Sequence, residues 1–142
     1  MLKYERGTWL RSEIRALLAG NGWAVWFSGA SLVPVPLHRA KLRARGYNQA
    51  EVIAAAIAQA FPGCRIRPVL SRVRRTPSQT FLTREQRLRN MKGAFRCTEA
   101  GGMGRVILVD DVLTTGATLN AAAAALRRAG VRNISAFTLA HG

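Results

Sequence analysis

The sequence predicts an α/β fold with a central, mostly parallel sheet flanked by helices, and three observations favour it. Residues 106–109 form a run that is apolar on both faces, as a central parallel strand requires. An alanine-rich helical segment, residues 118–130, comes next, and a second strand pattern over residues 133–140 follows the helix. The length of 142 residues suits a single domain, and 49% hydrophobic residues suffice for its core.

The N-terminal half predicts two helices and a strand. Apolar residues recur at helical spacing over residues 10–18, whereas residues 32–35 favour a strand that ends in a proline turn. A second helix begins at Asn48, an N-cap followed three residues later by Glu51. The tryptophans of this region are Trp9, Trp23 and Trp26. We expect them in the core, with a dimer contact as the alternative.

The middle of the chain is polar and basic. Val69 and Leu70 mark a short strand, and Thr83 with Gln86 are expected to cap a short helix over residues 84–90. The remainder of residues 72–93 has few groups to bury, and a loop of this length in a compact domain is usually a lid or disordered.

Charge indicates the kind of partner. There are 22 Lys and Arg against seven Asp and Glu, a net charge of +15, which attracts nucleic acid, acidic lipid or a multiply phosphorylated small molecule. Residues 65–96 hold nine arginines and one lysine with a single acid, Glu85, so we expect this segment to face a polyanion. A solvated basic stretch is the alternative interpretation.

Cellular location and metal content follow from what the sequence lacks. No apolar run approaches the roughly 20 residues of a membrane span, and the first residues do not resemble a signal peptide, so we expect a cytoplasmic chain without membrane insertion. Cys64 and Cys97 lack CxxC spacing, so we expect free thiols, with a disulfide as the alternative, and no zinc.

The candidate site follows the most apolar strand. Asp110 and Asp111 are expected at its carboxyl end, where ligands of such sheets bind. Residues 114–118 form a hydroxyl-rich turn into the next helix, and Gly116 lets the backbone approach an anion there. Adjacent acids and an anion site together suit a ribose 5-phosphate.

Three other interpretations compete with this one. An ATPase strand ending in two acids needs a GxxxxGK[ST] loop, which the sequence lacks. A response-regulator receiver domain uses its acid pair near the first strand, whereas here the pair is at residue 110 of 142. A simple helix cap would leave two adjacent acids unpaired at a cost.

The segment "VILVDDVLTTGAT" resembles the phosphoribosyl pyrophosphate (PRPP) motif of type I phosphoribosyltransferases. Within that superfamily, "VPVPLHRAKLRARGYNQAEVIA" and "RRTPSQTFLTREQRLRNMKGAF" resemble the ComF family, which includes competence protein F and GntX-like proteins. The resemblance extends from Val33 onward and implies a type I phosphoribosyltransferase-like fold in a single domain over residues 1–142. It makes residues 1–30 an N-terminal helical, hood portion and residues 72–93 a mobile basic loop.

The resemblance also implies roles for individual residues. Asp110 and Asp111 would be catalytic residues that bind the ribose 2- and 3-hydroxyls. The residues expected to hold the 5-phosphate are Thr114, Thr115, Gly116, Ala117 and Thr118. Those of the pyrophosphate loop are Pro36, Leu37, His38 and Arg39. The loop arginines expected to close over PRPP are Arg74, Arg75, Arg84 and Arg87. Mg²⁺ is expected to bind together with PRPP.

Two departures from the family leave the acceptor open. Members commonly carry an N-terminal four-cysteine zinc ribbon, so this sequence is expected to be a short form, a late start or a truncated piece. Purine-salvage enzymes have an acid where Thr114 stands, which leaves His38 as the nearby candidate base, although a pyrophosphate contact or a loop hydrogen bond fits it better. His141 is expected to be structural.

Two functional hypotheses therefore remain. One is a transferase with an unidentified acceptor. The other is a factor that handles single-stranded DNA in uptake and recombination, working with competence proteins and using PRPP as a ligand or regulator. Stacking aromatics near the loops are few, namely Tyr47, Phe81 and Phe95.

Overall fold

The computed structural model describes residues 11–20, 22–74, 83–99, 101–113 and 115–141. Helix α1 covers residues 11–18. The other helices are α2 (Trp23–Phe27), α3 (Arg39–Arg45), α4 (Gln49–Ala60), α5 (Arg84–Met91) and α6 (Ala117–Arg128). The strands are β1 (Ser31–Pro34), β2 (Arg65–Ile66), β3 (Leu70–Arg72), β4 (Phe95–Cys97), β5 (Arg105–Leu113) and β6 (Asn133–His141). None of the described helices is long and apolar enough to cross a membrane.

A parallel four-stranded sheet organises the chain, as the sequence predicts. Its order is β2-β1-β5-β6, with Pro34 of β1 opposite Val109 of β5, and Val109 opposite Phe137 of β6. Strands β3 and β4 pair antiparallel in a separate two-stranded sheet. The α/β fold class is confirmed.

Strand β5 is the centre of both core layers. Val106 and Leu108 pack into a cluster with α6 and the β3–β4 sheet, whereas Ile107 and Val109 pack into a cluster with α1, α2 and α4. Successive side chains of a strand point to opposite faces. The doubly apolar run therefore buries one residue set on each side of the sheet.

Residues 23–27 have a composition typical of strands, yet they form α2. Phe27 is fully buried, stacks on Phe61 with centroids 5.3 Å apart, and meets Phe137 edge-on at 5.6 Å. Trp23 and Trp26 pack beside it. Aromatic packing outweighs local preference here. Trp23 and Trp26 are half-buried against the core rather than within it, and Trp9 lies outside the described residues.

The predicted helices are present, but some residues expected on their buried faces are exposed or half-buried. In α1, Ile14 and Leu18 are buried, but Leu17, expected on the same face, is 57% exposed; Leu10 lies outside the described residues. Asn48 is the N-cap of α4, as expected. The buried residues of α4 are Ala50, Ile53, Ala54, Ala56 and Ile57, while Val52 and Ala60 are only half-buried.

The basic segment contains more regular structure than a loop. Thr83 and Gln86 form the predicted capping box of α5, which extends to the fully buried Met91. Strands β2 and β4 were not predicted, because strands of two and three residues are too short to show a period. Cys64 and Cys97 are free thiols, as expected.

Candidate functional site

The acid pair lies within β5 rather than at its end, which corrects the sequence prediction. Strand β5 continues to Leu113 beside β6, whereas β1 stops opposite Val109. The Val35 N–H still donates to the Val109 carbonyl at 2.9 Å before the chain turns towards α3. Asp110 and Asp111 therefore lie where β1 separates from β5, with β6 supporting them on the other side.

The environment of Asp110 disfavours its charged form. Burial, a hydrogen bond to the Asp111 carboxyl and the charge of that group raise the pKa of Asp110 from 3.8 to about 7. The Asp111 N–H, which donates to Asp110 Oδ1 at 2.9 Å, and the nearby Arg72 act in the opposite direction. Near neutral pH this carboxyl can therefore either accept or donate a hydrogen bond to a hydroxyl group.

Arg72 is a site residue that the sequence reasoning missed. Its guanidinium lies 5.5 Å from the centre of the Phe95 ring, and its Nη2 is 3.6 Å from the Met91 sulfur. Burial lowers the pKa of Arg72, while the charge of Asp110 raises it. The sequence feature that could have identified Arg72 is its spacing from Leu70. Residues two apart share a face of a strand, and Leu70 is buried.

The predicted pyrophosphate loop lines a cleft of about 520 Å³. On one side are Pro36, Leu37, His38 and Arg39, and on the other Leu70, Ser71, Arg72 and Val73. The structure therefore brings the loop after β1 opposite the strand that leads into the basic segment.

His38 caps α3. Its Nδ1 accepts a hydrogen bond from the Ala40 N–H at 3.2 Å, so in the neutral ring Nε2 carries the proton. A loop hydrogen bond was one of the roles expected of His38 from the sequence, and the bond from Ala40 is of this kind. In this arrangement, its second nitrogen is a donor rather than a base.

Asn48 joins the end of β1 to α4. It is 6% exposed, its Nδ2 donates to the Val35 carbonyl at 3.0 Å, and its Oδ1 accepts from the Ala50 N–H at 3.1 Å. The sequence identified the cap but not the bond to Val35. Asn48 therefore orients the start of the cleft loop.

Residues 115–118, which lead into α6, carry N–H and hydroxyl donors of the kind that bind an anion. Gly116 has φ 80°, in the left-handed region, and α6 begins at Ala117. The Ala117 N–H is bonded to Thr115 Oγ1 at 3.3 Å, while the next N–H groups of a helix have no partner within the helix. Thr118 lies in this first turn, and Thr114 lies outside the described residues.

The loop arginines have different surroundings. Arg74 donates to the carbonyls of Asn90 and Lys92 and so caps the end of α5. Arg84 is exposed and Arg87 half-buried on α5, and Arg75 lies outside the described residues. Arg74 thus has a structural contact within the basic segment.

Comparison with known proteins matches residues 48–142 to the phosphoribosyl transferase domain. The chain is 35% identical over 113 residues to competence protein F of Haemophilus influenzae, covering 78% of this chain and 49% of that protein. It is 34% identical over 109 residues to DNA utilization protein YhgH of Escherichia coli K12, and 35% over 112 residues to competence protein ComFC of Bacillus subtilis. These matches cover 76% of the chain, and 48% and 43% of those proteins. The chain thus spans about half the length of these relatives.

Proposed function

Because the chain belongs to the phosphoribosyl transferase domain family, in its ComF branch, we propose that it binds PRPP where β1 separates from β5. The observation that carries this proposal is the placement of a carboxylate pair and a Thr-Gly helix turn on the same strand–helix junction, with Asp110 close enough to the cleft residue Arg72 for their charges to interact. Ribose hydroxyls, a 5-phosphate and a diphosphate need these three kinds of group.

Each part of the site has a task in binding. Asp110 and Asp111 bond to the ribose 2- and 3-hydroxyls, and the turn around Gly116 offers N–H and hydroxyl donors to the 5-phosphate. The cleft loop and Arg72 surround the 1-diphosphate with positive charge. The Asn48 bond to Val35 keeps the loop in place.

Transfer breaks the bond between ribose C1 and the diphosphate oxygen, so pyrophosphate leaves with both bonding electrons. The acceptor then bonds to C1 and loses its proton to solvent or to a basic group. Positive charge develops on the sugar in this step, and the carboxylates stabilise it while arginine stabilises the leaving group. The acceptor is a nucleophile that the site does not identify.

Magnesium enters this proposal as part of the substrate. Among the described residues, no three His, Cys, Asp or Glu side chains lie together as metal ligands. Mg²⁺ is commonly held largely by substrate phosphates and water, so the diphosphate of PRPP would carry it in.

Calorimetry with Mg–PRPP tests the proposal. The double variant Asp110→Asn, Asp111→Asn should lose measurable binding, since the bonds to both hydroxyls weaken, while circular dichroism shows the same fold. The control, Glu13→Gln with Glu99→Gln, removes two exposed acids outside the proposed site and should bind like wild type. Unchanged affinity of the aspartate variant would exclude this sugar site.

Release of pyrophosphate separates a transferase from a PRPP sensor. Wild type is incubated with PRPP and a panel of nucleobases and single-stranded DNA. Consumption of PRPP that depends on one acceptor supports transfer, whereas binding without consumption with every acceptor supports a sensor.

A second candidate is a role in handling single-stranded DNA, and the net charge of +15 favours it. The names of the relatives, DNA utilization protein and competence protein, point in the same direction for those proteins. In this role PRPP is a ligand or regulator.

A further inference from the structure

Helix α3 (Arg39–Arg45) is an unusually exposed basic element. It carries four cations and no acid, and none of its side chains is buried. Within the described part of the chain, its side chains make a single hydrogen bond, from Arg45 to Gln49 at 3.4 Å, and no ion pair. Its charge is therefore free to meet a partner.

The spacing of these cations works against the helix. Arg39 and Arg43 are four residues apart, as are Lys41 and Arg45, so like charges are neighbours on its surface. A seven-residue helix is too short to be stable alone, and Arg39 lies at the positive end of the dipole. Capping by His38 and by Gly46, whose N–H donates to the Leu42 carbonyl at 2.7 Å, supports it nevertheless. A bound polyanion would remove the repulsion.

The position of α3 connects it to the cleft. The helix begins at Arg39, which lines the cleft, and extends about 10 Å at 1.5 Å per residue. A chain of phosphates bound along α3 would thus pass the mouth of a site suited to a sugar phosphate.

We propose that α3 docks the phosphate backbone of single-stranded DNA beside the cleft. This inference rests on the second candidate function, the handling of DNA. A membrane surface fits less well, since an interfacial helix needs an apolar face, and besides two alanines α3 offers only Leu42, which is 40% exposed.

Fluorescence anisotropy with a labelled 20-residue oligothymidylate tests this docking. The variant Lys41→Gln, Arg43→Gln leaves the cleft residue Arg39 in place. Its affinity should fall about tenfold at 100 mM salt. The slope of log K against log salt should decrease by about 1.4, or 0.7 for each lost phosphate contact with a single strand.

Two controls isolate the effect. Arg127→Gln with Arg132→Gln removes the same charge from exposed residues near the amino-terminal edge of the sheet and should weaken binding much less. The swap Lys41→Arg, Arg43→Lys keeps the charge and should bind like wild type. Circular dichroism verifies the fold of each variant.

The outcomes separate this inference from its premises. DNA binding by wild type that both charge-removing variants weaken equally would overturn docking on α3 and leave the DNA role standing. No DNA binding by wild type would overturn both. Preferential loss of binding to vesicles of anionic phospholipid, with DNA affinity unchanged, would assign α3 to membranes instead. Calorimetry with Mg–PRPP on the α3 variant should match wild type.

Discussion

The β5–α6 junction and α3 lie just beyond the paired ends of β5 and β1, yet they carry charge in opposite ways. At the junction, Asp110 is half-buried, hydrogen-bonded to its neighbour and shifted in pKa to about 7. On α3, the cations are exposed and repel one another. A buried charge is tuned by the protein and recognises one geometry, whereas an exposed charge attracts any polyanion and is screened by salt. The first suits a defined small molecule and the second a polymer.

The largest expected effect concerns the buried charge. Asp110 holds its proton more tightly in the folded chain, where its pKa is about 7, than in the unfolded chain, where it is 3.8. Its contribution to stability is therefore full below about pH 4 and is lost as the pH rises through 7. At 1.4 kcal/mol per pKa unit, Asp110→Asn should raise the unfolding free energy at pH 8 by about 2–4 kcal/mol.

Urea denaturation between pH 4 and pH 8 measures this effect. Wild type should lose stability relative to Asp110→Asn across that range, while Glu13→Gln, at an exposed position on α1, should follow wild type. A variant no more stable than wild type at pH 8 would show that the carboxyl is better solvated than its surroundings imply. The same substitution should weaken PRPP binding, so stability and function would oppose each other at this residue.

The next effect concerns the residue that supports the cleft loop. Asn48→Ala removes the cap of α4 and leaves the buried Val35 carbonyl without its bond, so the unfolding free energy should fall by about 2 kcal/mol. Its neighbour provides the control, because the Gln49 side chain contacts Arg45 at the surface. Gln49→Ala should change stability by less than about 0.5 kcal/mol. Equal urea midpoints for the two variants would contradict the bridging role.

The smallest expected effect concerns Arg72, the arginine whose charge acts on the pKa of Asp110. Arg72→Met keeps an apolar side chain against Phe95 but removes the charge that lowers the pKa of Asp110, so that pKa should rise. PRPP affinity should then fall about two- to fivefold more near pH 6 than at pH 9, as for an ion pair worth under about 1 kcal/mol. The loss of positive charge beside the diphosphate acts at both pH values, whereas the shift in the pKa of Asp110 acts only at the lower one.

Calorimetry at pH 6 and pH 9 distinguishes this coupling from direct contact with the diphosphate. A loss of the same size at both values would mean contact alone. Arg72→Lys should restore the wild-type profile, and Arg96→Met, at an exposed position on β4, serves as the control.

Features that depend on neighbours along the chain were predictable. The cap at Asn48 and the capping box of Thr83 and Gln86 use bonds spanning two or three residues. Residues 106–109 are all apolar, and this composition by itself indicates that both faces of the strand are buried. The acid pair and the Thr-Gly turn form one continuous motif. In these cases the sequence determined the element, because the interaction that stabilises it is local.

Only the tertiary structure decided how these pieces meet. Asp110 lies inside β5 because β6 continues beside it after β1 has left, and no local pattern encodes where a partner strand stops. The charge of Arg72, on β3, acts on Asp110 from 38 residues away along the chain, and Asn48 bonds to Val35 across 13 residues. The sequence by itself therefore determined the chemical groups of the site, whereas long-range pairing and packing determined their burial, their charge state and their arrangement around the cleft.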